Sequence, residues 1–289
     1  MADSGCGIPD ETLDSIKRTR IALKGPLETP VGEGYRSINV RLRQELDLFA
    51  SVRPVQSLPG IAVPYRDVNL VVVRENTEGL YSGLEHVVVP GVVESLRIVT
   101  KPAADRIVRF AFDLARRQGR RRVTFCHKAD VLPLSDGMFL ATARAVAEDF
   151  PFLQFEELHV DALCMQLALD PTRFDVLVME NLFGDVISDL CAGLVGGLGL
   201  VPGANFGTGY AVFEAVHGSA PDIAGKGLAN PMALLRSAVL LLEHIGQAQA
   251  GRRIEDSVRK TLQAGRGLTR DLGSDGTTAS LTEQLIANL

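Results

Sequence analysis

Long apolar runs are missing from this 289-residue chain: nothing in it reaches the ~18 consecutive apolar residues of a membrane-spanning helix. Even Ala233 to Ile245 is broken by Arg236, Glu243 and His244, so no membrane partner is expected. Met1 to Asp14 holds no apolar core of the kind a signal peptide carries. Positive charge is not in excess either. A formal net charge of -5 gives no general attraction to nucleic acid or to anionic membranes, and an anionic ligand would have to be held by local arginines. Cysteine is scarce: Cys6, Cys126, Cys164 and Cys191 form no C-x-x-C pair, which argues against a zinc site and a disulfide framework and makes a reducing, cytoplasmic setting the expectation. No G-x-G-x-x-G is followed by a suitable acid, so a Rossmann dinucleotide site is not indicated. Internal repeats and low-complexity linkers are absent too.

What is present is an ordinary globular composition, 46% hydrophobic and 22% charged, on a chain long enough to bury a large core. Short β-branched runs at Arg20 to Ala22, Asn69 to Val73, Arg122 to Cys126, Asp175 to Met179 and Tyr210 to Val216 read as strands. Amphipathic stretches alternate with them, and that alternation means an α/β fold. Pro102 opens a helix with Ile107, Phe110, Ala111 and Leu114 on one face, and Gly119 closes it. Further helices are expected over Thr12 to Lys17, Asp136 to Asp149, Asp185 to Val195, Pro231 to Ile245, Ile254 to Ala264 and Leu281 to Asn288. Glu85 to Thr100 holds two strand-like pieces around Pro90 and Gly91, the pattern of a projecting hairpin that meets a partner subunit.

Three segments carry candidate chemistry. Arg36, Arg41, Arg43, Arg53 and Arg74 place several guanidinium groups in short segments, and guanidinium matches carboxylate bidentately. On a helix starting near Ser37, Asn39 and Arg43 are four residues apart and face one way, while Arg41 points elsewhere. Spacing alone leaves a solvated basic face open as the alternative. Asp185 and Asp189 also lie four apart on one helical face, where like charges repel by about 0.2 to 0.5 kcal/mol. A hard divalent cation, Mg²⁺ or Mn²⁺, would remove that penalty; an N-capping Asp185 beside a solvated Asp189 remains the other reading. The run from His217 to Gly227 is a Gly-rich loop between a strand and the helix opened by Asn230 and Pro231, which suits close approach of backbone N–H groups to a nucleotide or, equally, a long surface loop.

From Glu11 to the C-terminus these segments together resemble the isocitrate/isopropylmalate dehydrogenase family of metal-dependent decarboxylating dehydrogenases. The marks are Leu23-Lys24-Gly25-Pro26-Leu27, Leu46-Asp47-Leu48 with Arg53-Pro54, Arg74-Glu75-Asn76-Thr77-Glu78-Gly79-Leu80-Tyr81, Asn181-Leu182-Phe183-Gly184-Asp185 and the His217 loop. The resemblance implies a two-lobed, non-Rossmann α/β fold. Residues 1–48 and 197–289 would form a discontinuous large domain on the nucleotide side, and 49–196 a smaller domain for dimer and metal contacts. It also implies an N-terminally truncated version of that fold, because family members open with a strand, a Gly-rich turn and a helix that have no counterpart before Thr12.

By position in the family, Arg43, Arg53 and Arg74 would hold substrate carboxylates, with Ser37 and Asn39 reading the third carboxylate that distinguishes isocitrate. Asp185 and Asp189 would bind Mg²⁺ or Mn²⁺ with Asp161 of a second subunit. Lys128, also reaching across, matches the base, its pKa lowered by burial near other cations. Tyr81 matches the acid that protonates the product of CO₂ loss. His217, Gly218, Ser219, Ala220, Pro221, Asp222 and Asn230 would form the cofactor site, and Asp222 would favour NAD by repelling a 2′-phosphate. Asp130 stands where the family usually has Asn. The resemblance therefore points to a homodimeric, NAD-dependent isocitrate dehydrogenase acting on a small tricarboxylate. A regulatory or catalytically impaired subunit, or a related isopropylmalate, homoisocitrate or tartrate enzyme, is the alternative.

Overall fold

The computed structural model describes residues 8–27 and 38–289; Cys6, Arg36 and Ser37 lie outside the described residues. In chain order come α1 (Asp10–Thr19), β1 (Ile21–Lys24), α2 (Ile38–Glu45), β2 (Ala50–Gln56), β3 (Asn69–Glu75), β4 (Gly79–Val89) and β5 (Val92–Ile98). They are followed by α3 (Lys101–Arg117), β6 (Arg122–His127), α4 (Ser135–Glu148), β7 (Gln154–His159), α5 (Val160–Leu169), β8 (Val176–Met179) and α6 (Asn181–Leu194). β9 (Pro202–Phe206), β10 (Ala211–Ala215), α7 (Met232–His244), α8 (Ala248–Ala264) and α9 (Thr278–Ala287) complete the order.

Eight strands form one sheet in the order β1-β10-β9-β2-β3-β8-β6-β7. β3, β8, β6 and β7 run parallel to one another, β10, β9, β2 and β3 pair antiparallel in succession, and β1 joins β10 in parallel. Alternate residues of the central strands go to opposite faces, as the two-residue period of a strand requires. Val71, Val73, Val176 and Val178 pack on one side with residues of α3 and α4, while Leu70, Val72, Leu177 and Met179 pack on the other with residues of α5 and α6. A strand covered on both faces has no polar side, which is why Asn69 to Val73 reads as a continuous apolar run. Leu58, Leu200, Met232, Val258, Leu262 and Leu281 form a separate core around α7, α8 and α9.

Local signals account for the main helix boundaries. Thr100 caps α3 by accepting from Ala103 N–H at 3.3 Å, and Pro102 sits in the first turn, where its missing N–H costs nothing. The helix then buries Ile107, Val108, Ala111, Phe112, Leu114 and Ala115, and Phe112 alone is worth about 1.5 to 3 kcal/mol of apolar burial. The expected hairpin is present: β4 and β5 pair antiparallel across Pro90 and Gly91, and Gly91 takes φ +84°, which a side chain would resist. Its valines 87, 88, 89, 92 and 93 are exposed.

Two helices differ from their sequence expectation. α6 begins at Asn181, because the Glu180 carboxylate caps it, accepting from Phe183 N–H at 2.8 Å and Leu182 N–H at 3.1 Å. Asp185 is therefore not an N-cap but sits inside the helix. α8 begins at Ala248 rather than near Ile254, its polar first turn packing Gly251 against Val239 of α7. Among the described residues no helix is long and apolar enough to cross a membrane.

Candidate active site

The arginines come from separate elements that the sheet brings together. β2 and β3 pair with Arg53 opposite Val72 and Arg74 opposite Ser51, so the two guanidinium groups are diagonal neighbours on one face. Asn39 and Arg43, one turn apart on α2, join Arg53, Lys24, Ser51, Asn205, Glu214, His217 and Gly218 around a cleft of about 140 Å³. The i, i+4 expectation for Asn39 and Arg43 thus holds, and Arg41 instead lies near Glu45 on its own helix.

Beside this cleft, α6 presents its carboxylates to Arg53, one of the lining residues. Arg74 is 2% exposed; its Nε donates to Asn181 Oδ1 at 2.9 Å and its Nη1 pairs with Asp185. Arg53 donates to Asp189 Oδ1 at 2.9 Å and to Ser188, and its Nη2 lies 3.7 Å from Asp185. Tyr81 donates its phenolic O–H to Asp185, with the Arg74 guanidinium 4.9 Å from its ring centre. Burial and then the neighbouring Arg74 pull the Arg53 guanidinium down to about 10, which leaves it a cation at neutral pH. Burial raises the Asp185 carboxyl, but Arg74, the Tyr81 hydroxyl and Arg53 together hold it below the usual value. Burial, followed by the hydrogen bond to Asp185, raises the Tyr81 phenol, so it keeps its proton. A proton donor and a carboxylate acceptor thus share one wall.

The turn that leads to Tyr81 is held from below. The buried Glu75 carboxylate accepts from the N–H groups of Thr77 and Glu78, each at 3.0 Å. Glu78 in turn accepts from Thr100 N–H at 2.7 Å, tying the start of α3 to the same turn.

Lys128 and Asp161 stand apart from this wall. Lys128, in the loop after β6, donates to Asp130 Oδ2 and Asp161 Oδ1, both at 3.0 Å. No hydrogen bond or ion pair among the described residues joins either to Asp185 or Asp189. The hydrogen bond to Asp130, and then that to Asp161, pushes the Lys128 amine above its ordinary value. The expected lowering by nearby cations is therefore not met within one chain, because its neighbours are carboxylates. Asp130, the departure from the family's Asn, also lies 3.8 Å from His159 Nδ1.

The donor chemistry at α6 suits a hard cation: two carboxylates one helical turn apart offer oxygen ligands. Among the described residues no third His, Cys, Asp or Glu completes a metal-holding group within the chain. Asp161 is 68% exposed at the start of α5 and Asp189 is 53% exposed, so both are within reach of a second molecule.

The loop from His217 to Asn230 follows β10. His217 and Gly218 line the cleft, Ser219 follows, Ala220 adopts φ +48°, and Pro221 and Asp222 open a short turn in which Asp222 is exposed. Asn230 is occupied otherwise: its amide donates to Asp271 at 2.9 Å and its carbonyl oxygen accepts from Met232 N–H at 2.9 Å.

One carboxylate of the cleft went unassigned from the sequence. Glu214 on β10 is partly buried, 2.7 Å from Lys24 Nζ and 3.7 Å from Arg43 Nη2, and accepts from Asn205 at 2.8 Å. Burial raises its carboxyl, but Lys24 and Arg43 outweigh that and hold it low. A lone carboxylate inside the apolar run Ala211 to Ala215 was the available signal, since an unpaired buried charge is too costly to keep. The thiols are chemically quiet by contrast: Cys126, Cys164 and Cys191 are free, and burial pushes Cys191 up to about 12.

Residues 1–287 match the family described as isocitrate/isopropylmalate dehydrogenase. The chain belongs to that family. A Homo sapiens protein, named as the alpha subunit of mitochondrial NAD isocitrate dehydrogenase, is 50% identical over 279 residues, covering 96% of this chain and 76% of that protein. A Dictyostelium discoideum protein, named as a mitochondrial NAD isocitrate dehydrogenase regulatory subunit, is 48% identical over 290 residues, covering all of this chain and 82% of that one. A crystal structure of isocitrate dehydrogenase from Methylococcus capsulatus superposes with a TM-score of 0.94 at 53% identity, over 97% of this chain and 85% of that one. The resemblance carried by the dehydrogenase motifs is therefore borne out in family and in α/β fold.

Proposed function

We propose that this isocitrate/isopropylmalate dehydrogenase family member catalyses the NAD-dependent oxidative decarboxylation of isocitrate to 2-oxoglutarate and CO₂. The observation that carries the reading is that Asn39, Arg43 and Arg53 line one cleft while Arg53 also reaches Asp189 and Asp185, the latter shared with Arg74 and Tyr81. Three guanidinium groups match a tricarboxylate, and Asn39 brings an amide to the same cavity. Ser37, which would assist it, lies outside the described residues.

Arg53 and Arg74 are pre-organised by buried partners, so binding spends little of its free energy on ordering them. They hold two carboxylates and orient the C2–H bond toward the nicotinamide side of the cleft. Asp185 and Asp189 would hold Mg²⁺ or Mn²⁺, which supplies Lewis acidity at the substrate's C2 oxygen. Lys128 of a second copy would take the C2 hydroxyl proton, and NAD, when bound, would supply the hydride acceptor. The new carbonyl stands β to a carboxylate, which leaves as CO₂, and Tyr81 returns a proton to the carbon it leaves. Asp161 would join Asp185 and Asp189 of the other copy in holding the cation, and would then no longer accept from Lys128, leaving that amine freer to act as a base.

The same assignment makes the active unit at least a homodimer, since Lys128 and Asp161 lie apart from Asp185 and Asp189 within one chain. The exposed valines of the β4–β5 hairpin supply apolar surface for such contact. Residues 1–48 and 197–289 form the nucleotide-side domain in this reading and 49–196 the dimer and metal side. The loop from His217 through Ser219, Ala220 and Pro221 to Asp222 and Asn230 holds NAD, with the exposed Asp222 accepting from ribose hydroxyls and repelling a 2′-phosphate. The free cysteines suit a reducing compartment, here the cytoplasm.

The test is NADH formation with isocitrate, isopropylmalate, homoisocitrate and tartrate in parallel, with Mg²⁺ and with NAD or NADP. Isocitrate and NAD are expected to give the highest kcat/KM; a preference for isopropylmalate overturns the substrate, and equal use of NADP overturns the role of Asp222. A second reading, a regulatory component of a hetero-oligomer, is favoured by the likeness to the Dictyostelium discoideum regulatory protein. It predicts no turnover by the chain alone and a change in turnover when a catalytic relative is added.

A further inference from the structure

Arg97, near the base of the hairpin on β5, has no part in the chemistry above, yet it touches both halves of it. Its Nη1 donates to Asp136 Oδ1 at 2.6 Å and to Ser135 Oγ at 3.2 Å, while its Nε lies 3.6 Å from Glu180 Oε2. The guanidinium lies 5.6 Å from the ring centre of Phe183. Each carboxylate has a second task. Asp136, 2% exposed, uses Oδ2 to accept the backbone N–H of Lys128 at 2.7 Å. Glu180, 4% exposed, caps α6, the helix that carries Asp185 and Asp189.

One partly buried cation, 14% exposed, therefore stands between the carboxylate that anchors the Lys128 loop and the carboxylate that starts the aspartate helix. Two buried carboxylates so close to a common point repel unless a cation separates them, and removing one member of such a set is costly. The other strand of the same hairpin begins at Gly79 and carries Tyr81. Gly79 itself, at φ +83°, leaves room for Asn181 and Glu180, whose nearest atoms would lie 3.2 Å from any Cβ there.

We propose that Arg97 is a positioning residue: it braces the Lys128 loop against α6 and ties both to the hairpin that carries Tyr81. In a dimer with shared sites, one Arg97 steadies the half-site the chain keeps and the half-site it lends. The kinetic part of this inference rests on the isocitrate dehydrogenase reading; the structural part does not.

The experiment compares the unsubstituted chain with R97M, which keeps length and loses charge, and R97K, which keeps charge and loses the fork. Hydrogen exchange of residues 128–136 and 181–185 is measured beside kcat and KM for isocitrate. In R97M, exchange should rise in both segments and stay unchanged in α8 and α9. Its kcat should fall on the order of 10²-fold, as for a misplacement of about 1 Å, with KM within about threefold. R97K, able to hold one carboxylate at a time, should recover most of that loss. The proposal is overturned if exchange in R97M is unchanged in both segments, if it rises while kcat stays within about twofold, or if it rises everywhere including α8 and α9. An unsubstituted chain that does not oxidise isocitrate counts against the substrate assignment, and the exchange results then decide the brace on their own.

Discussion

Gly184→Ala sets two effects of known size against each other. Gly184 ends the first turn of α6, where a Cβ would lie 2.5 Å from Arg74 Cγ, 2.6 Å from Arg74 Cβ and 3.1 Å from Arg74 Cδ. Those atoms are the root of the side chain, so Arg74 cannot swing clear without moving β3. β3 is paired on both edges, antiparallel to β2 and parallel to β8, and resists that movement. Replacing Gly by Ala inside a helix favours the folded state by about 0.5 to 1 kcal/mol. Forcing an extra methyl into a filled site costs about 1 to 3 kcal/mol, so the clash wins by on the order of 1 kcal/mol. For a chain of this size the melting temperature should fall by only about 2 to 4 °C. The functional loss should be larger, because a guanidinium displaced by about 1 Å no longer meets its carboxylate squarely, a loss of roughly 10²-fold in kcat/KM for isocitrate. Thermal unfolding followed by circular dichroism and initial-rate kinetics, run on the same preparation, separate the two. An unchanged KM with a raised melting temperature would refute the close packing of Arg74 against α6 as the reason for glycine there.

Two further outcomes are expected. Glu214→Gln leaves the half-buried pair Lys24 and Arg43 without their carboxylate and should cost about 3 kcal/mol in chemical denaturation at neutral pH. Because Glu214's folded pKa is depressed, its contribution is complete above the unfolded value of about 4.3 and is lost as pH falls through the folded one; the gap between the two proteins should be constant at neutral pH and close in acid. A gap that widens in acid would contradict this assignment. Mixing inactive Lys128→Ala and Asp185→Ala proteins should restore about a quarter of the unsubstituted activity, since half of the dimers are hybrids and each hybrid has one intact site. No recovery after verified exchange of protomers would show that the sites are not shared.

Much of this molecule follows from local pattern, and those parts were legible in the sequence. A β-branched run such as Asn69 to Val73 has one low-energy use in a large α/β chain, a strand buried on both faces, and β3 covers it. The period of α3 and its Thr100 and Pro102 start are likewise properties of neighbouring residues. The pairs Asn39 with Arg43 and Asp185 with Asp189 are one helical turn apart wherever their helices lie. Motif likeness then assigned the family, because the quoted segments recur together. Local pattern failed where tertiary contacts override it. β9, with the sequence Pro-Gly-Ala-Asn-Phe, is made of poor strand formers, and it is a strand because β2 and β10 pair with it on both sides. The start of α6 was displaced by a carboxylate cap at Glu180, a residue type whose capping depends on its geometry rather than its identity. Arg74 with Asn181, Lys24 with Glu214 and Arg97 with Asp136 and Glu180 are ion pairs and hydrogen bonds between residues 39 to 190 positions apart in the chain. No local period records such a pairing. It exists because the order and register of eight strands and the helices on them bring each pair together in space, where burial makes each charge depend on its partner.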